Sequence, residues 1–263
     1  MTFQPVIAGT GYAGWRFLAQ TLPAQQQAFR ESPVVANAAT YFRDNIGAVR
    51  TVDDLMADRR LLSVALGAFG LDDDIGNTAF IAKVLSEGTL SEDAFANRLS
   101  DKRYAAMSRE FGFGDLGART GLFFFAEEIV ARFESRQFER AVGNQNGDMR
   151  LALNLSTALA EVTAEIPNPA TQWFGVMGSP PLRNVFEKAL GFSSSFGRID
   201  IDQQRQAFQN RAMATFGTDK VADFADPTLQ ERLIRLFLIR SEAATNATTS
   251  AGATALALLR AAR

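Results

Sequence analysis

Apolar residues recur at helical spacing along almost the whole chain, and this periodicity is the strongest limit on its fold. Leu151, Leu155, Leu159 and Val162 follow the i, i+4, i+8, i+11 pattern of one helix face. Asp148 is placed as the N-cap of that helix, and Pro167 lies beyond its end. Phe125, Ile129 and Phe133 form a second stripe, with Glu128 and Arg132 beside it as an i, i+4 pair. Thr51-Val52-Asp53-Asp54 has the pattern of a capping box opening a helix at Leu55. Leu229, Leu233, Ile234, Leu236, Phe237 and Ile239 mark a strongly apolar helix ending at Arg240. Only Gln4 to Ala8 and Pro33 to Ala36 read as strands. The expected class is therefore all-α, with little or no sheet.

A match without gaps divides this helical chain. Met56 to Leu71 (MADRRLLSVALGAFGL) aligns with Met177 to Phe192 (MGSPPLRNVFEKALGF) at an offset of 121 residues. Asp58 and Ser179 fall at the N-cap. Pro180 falls at the first helical position, where its fixed φ suits a helix. Gly70 and Gly191 fall where a left-handed residue ends a helix. A shorter echo pairs Ala94-Phe95-x-Asn97-Arg98 with Ala207-Phe208-x-Asn210-Arg211. The expectation is an internal duplication with two similar helical units. Residues 1–50 form an N-terminal arm and first helices, 51–120 unit one, and 121–166 connecting antiparallel helices. Residues 167–240 form unit two, and 241–263 a weakly ordered connector and terminal helix.

Composition closes several chemistries. The chain has no Cys and no His, so it has no disulfide, thiolate nucleophile, histidine base or His/Cys metal site of its own. Its net charge of -2 supplies no long-range attraction for nucleic acid. No apolar run approaches the roughly 18 residues of a membrane span, so no membrane insertion is expected. The start, MTFQPVIAGTGYAGWRF, lacks the basic stretch and long apolar core of a Sec signal. Synthesis in the cytoplasm is expected, and export by a route that retains the N-terminus stays open. Phe occurs 22 times against two Trp and three Tyr, which points to a Phe-packed core rather than an aromatic ligand cage.

Three motifs bear on ligands. Gly9-Thr10-Gly11-Tyr12-Ala13-Gly14 fits G-x-G-x-x-G, but no βαβαβ series follows. Glu31, at the distance of a ribose-binding acid, precedes Ser32-Pro33 rather than ending a strand. The segment reads as a glycine-rich arm leading into a helix with Trp15, Phe17 and Leu18. Asp72-Asp73-Asp74 lacks the alternation of a calcium loop and reads as a polar turn, with Asp200 and Asp202 in a comparable place. Glu127, Glu128 and Glu187 read as solvated helix faces, and Arg59-Arg60 as first-turn residues. Neither catalytic residues, nor a cofactor, nor a metal site is expected.

Gly11-Tyr12-Ala13-Gly14-Trp15, Tyr41-Phe42-Arg43, Asp54-Leu55, Ala68-Phe69-Gly70-Leu71 and Asn97-Arg98-Leu99-Ser100-Asp101 together resemble a bacterial family, domain of unknown function twelve-seventeen. The resemblance implies a helical bacterial protein, with some members encoded near flagellar genes. The terminal Leu256-Ala257-Leu258-Leu259-Arg260 is similar to the end of flagellin-like chains, where an amphipathic helix packs on another helix. Leu256, Leu258, Leu259 and Arg260 are thus the candidate docking residues for a protein partner. The expected function is a non-catalytic interaction or accessory component, of the flagellum on the resemblance. A cytoplasmic helical regulator or adaptor is the alternative, and a nucleotide or small-ligand binder a third.

Overall fold

A computed structural model describes the backbone of residues 3–261 and the side chains of residues 3–247. Every regular element among the described residues is helical, so the class is all-α. The α-helices are α1 (Gly11–Arg30), α2 (Pro33–Asn45), α3 (Val52–Ala57), α4 (Arg59–Ala68), α5 (Thr78–Glu87), α6 (Phe95–Arg98) and α7 (Arg103–Phe111). They continue as α8 (Phe125–Gly143), α9 (Gly147–Glu165), α10 (Gln172–Gly178), α11 (Pro180–Leu190), α12 (Ile201–Phe216) and α13 (Pro227–Ala261). The chain divides into two compact units. The first comprises Met1–Pro5 and Leu22–Ala141, the second Val6–Thr21 and Val142–Arg263.

In the first unit α4 lies against α2 and α3, and α5 against α3, α6 and α7. Leu61, Leu62, Val64, Ala65, Leu66 and Ala68 of α4 are all buried. Phe133 of α8 rests so close to Gly67 that a side chain there would overlap its ring. The stripe of Phe125, Ile129 and Phe133 is buried as its spacing requires. In the second unit α11 is central, touching α9, α10, α12 and α13. Rings fill this core: Trp173 stacks on Phe208 at 5.5 Å and meets Phe186 edge-on at 5.3 Å. Phe224 joins Phe186 at 5.1 Å, and Phe192 joins Phe196 at 3.9 Å. The only polar atom of Trp173 is satisfied inside, its Nε1 donating to the Asp219 carbonyl at 2.6 Å.

The matched segments fold into like corners. Helices α3 and α4 are joined by the single extended residue Asp58 (φ -105°, ψ 97°), and α10 and α11 by Ser179 (φ -97°, ψ 104°). Asp58 caps α4 by accepting from the N–H groups of Arg60 and Leu61. Ser179 makes no such bond; Pro180 has no N–H to satisfy there. Both helices end in the same way. Leu71 donates to Leu66 and Gly70 to Gly67, as Phe192 donates to Glu187 and Gly191 to Lys188. These are Schellman ends, and Gly70 and Gly191 stand at φ +67° and +70°, where a Cβ is penalised. The shorter echo does not share local structure. Phe95 opens the four-residue α6, whereas Phe208 is fully buried in the middle of α12.

Several local expectations change. Pro33 to Ala36 is the first turn of α2, not a strand, because Ser32 holds the extended N-cap conformation and Pro33 sits at the favoured first position. Gln4 to Ala8 has no strand partner and forms no regular element. Asn146, not Asp148, caps α9, its side chain accepting from the Met149 N–H at 3.1 Å. Residues 241–253, expected as a connector, continue α13, in keeping with the high helix propensity of their alanines.

Candidate functional site

Most of the acids marked by the sequence are engaged by their own units. Asp72 meets Arg140 at 2.9 Å and accepts from Gln137, and Asp73 meets Arg140 at 3.0 Å. Asp74 accepts from Tyr104 at 2.6 Å and from Asn77 at 2.9 Å. Burial first, and this bond to Asp74 second, push the Tyr104 hydroxyl up to about 12. Asp200 caps α12 through the Asp202 and Gln203 N–H groups. Glu127 pairs with Arg43 at 2.9 Å and Glu187 with Arg183 at 2.7 Å. Arg132 turns from Glu128 to Glu110 at 3.5 Å, so the expected i, i+4 pair is not formed. Arg60 stacks over the Tyr41 ring at 3.4 Å, and the Tyr41 hydroxyl donates to Asp58.

The glycine-rich arm is closed in the second unit. Gly11 begins α1, and the Glu242 carboxylate fills the space a side chain at Gly11 would occupy. Thr10 donates to Glu242 at 2.6 Å. One internal carboxylate thus stands at the helix N-terminus, where a nucleotide phosphate would have to sit. Earlier in α13, Glu231 accepts from the Tyr12 hydroxyl at 2.7 Å and the Trp15 Nε1 at 3.2 Å.

Two further groupings resemble sites. Lys188 lies 3.0 Å from the Ser241 hydroxyl, the placing of a base beside a nucleophile. Its ammonium is engaged by Asp148 at 3.2 Å, and Ser241, only 3% exposed, donates to the same carboxylate. The trio ties α9, α11 and α13 together and offers no accessible hydroxyl. In the first unit a crevice of about 220 Å³ is lined by Gln26, Arg30, Glu134, Ser135 and Phe138. Burial pushes the Glu134 carboxyl up, opposed by Arg43 and Arg30. Its volume falls below the roughly 300–1,000 Å³ of small-molecule pockets.

A different surface stands out in the first unit. Between α7 and α8 the loop of residues 112–124 turns apolar side chains outward. Phe123 is 101% exposed, Leu116 94%, Phe124 46% and Leu122 44%. The loop is nonetheless built. Gly117 donates to Gly112 at 3.1 Å, Arg119 to Phe111 at 2.9 Å and Leu122 to Arg119 at 2.9 Å. Thr120, buried, donates to the Val49 carbonyl. Asp115 accepts from the N–H of Thr89 at 2.5 Å and of Leu90 at 3.1 Å. The loop thus presents large apolar side chains on an ordered backbone. Sequence reasoning assigns the phenylalanines to the core and so misses this surface. The available signal is the run Phe123-Phe124-Phe125, whose members cannot all share one helix face. The expected docking residues Leu256, Leu258, Leu259 and Arg260 fall within α13, and their side chains lie outside the described residues.

Fold and site define an all-α protein with an ordered apolar display loop. The model of the family "Protein of unknown function (DUF1217)" matches residues 68–229, and the chain belongs to that family. Among solved structures it is similar to protein AGR_C_984 from Agrobacterium tumefaciens, at 28% identity and a TM-score of 0.70. That likeness covers 90% of this chain and 98% of the other. No curated protein matches. No helix among the described residues is long and apolar enough to cross a membrane.

Proposed function

We propose that this protein is a non-catalytic interaction component, an accessory or minor structural part of a bacterial surface assembly. The loop of residues 112–124 carries the reading: its backbone is fixed by hydrogen bonds while Phe123 and Leu116 face solvent. Such a surface binds without the entropic cost of ordering itself. The internal partners of Asp72, Asp73, Asp74, Glu187 and Glu242 support it, because each occupies a group that ligand chemistry would need. The flagellum is the setting implied by the family resemblance, and Leu256, Leu258, Leu259 and Arg260 are a second docking element on sequence grounds. The same reading treats the two corners as a duplicated unit. Their matched linker conformations and helix ends support this, and the differing surroundings of Phe95 and Phe208 do not.

The test is affinity purification of the tagged protein from its native host, with mass spectrometry, beside the Phe123→Ser variant and a chain ending at residue 247. Flagellar hook, export or basal-body components recovered with the wild type and lost with Phe123→Ser would support the reading. An identical set of proteins from wild type and both variants would sink it. A cytoplasmic regulatory partner lost with Phe123→Ser would move the assignment to the adaptor alternative.

A further inference from the structure

We draw no further inference here: the strongest candidate, the exposed apolar loop of residues 112–124 between α7 and α8, is bordered by charged side chains of both signs, and nothing in the structure shows what covers it.

Discussion

The carboxylate of Glu242 occupies the volume that a side chain on Gly11 would fill. Gly11 also stands at φ +54°, a conformation that L side chains rarely adopt. Gly11→Ala should therefore destabilise the protein by about 1–3 kcal/mol, combining backbone strain with the expulsion of Glu242. Urea unfolding gives the value. In a Glu242→Ala background the same substitution should cost less, because only the strain remains. Equal costs in the two backgrounds would mean that the carboxylate and the glycine are independent.

Phe69 and Leu190 occupy matched places at the ends of α4 and α11, and both are buried. Phe69→Ala and Leu190→Ala should each cost about 2–5 kcal/mol through lost apolar burial and the cavity left behind. Denaturant midpoints check this. Losses under about 1 kcal/mol at both positions would remove these residues from the core.

Asp58 predicts a pH dependence. Partial burial alone would raise its carboxyl, but the Tyr41 hydroxyl and the N–H groups of Leu61 and Arg60 outweigh it and hold the group below the usual range. A carboxyl depressed in the folded state adds stability above its unfolded value near 3.9, and that stability is lost as pH falls through the folded value. Asp58→Asn should thus be less stable than wild type at pH 7, with the difference shrinking below about pH 3.9. Urea titrations at neutral and acid pH decide it. A gap that stays constant with pH would assign the cap no charge component.

Ser241 carries the core past Arg240. Its hydroxyl bridges Lys188 and Asp148, and the residue is buried. Ser241→Ala should cost about 1–3 kcal/mol by leaving those groups under-satisfied. A chain ending at residue 240 should lose more, because Glu242 goes with it. A shortened chain as stable as the wild type would place this part of α13 outside the core.

The corners were legible because each is written in local chemistry. Asp58 or Ser179 before an apolar stripe, and a glycine after it, specify where α4 and α11 begin and end without help from the rest of the chain. Three things needed the tertiary structure. Ser241 continues the buried face of Leu233 and Phe237, but a hydroxyl breaks an apolar pattern, so the pattern stops at Arg240. Arg132 chooses between Glu128 and Glu110, one a neighbour in sequence and one in space. Phe123, Phe124 and Phe125 are the same residue type, and only the start of α8 decides that the third is buried while the first is bare.

Tyr12 and Glu231 are 219 residues apart in the chain. The second unit takes residues 6–21 from one end of the chain and residues beyond 142 from the other. During synthesis residues 22–141 emerge as an uninterrupted stretch, while the segment ahead of them waits for its partner helix to be translated. Closing so long a loop is slow compared with local helix pairing. The first unit therefore has a head start on the ribosome, and the second is assembled last, with its N-terminal aromatic residues exposed until then.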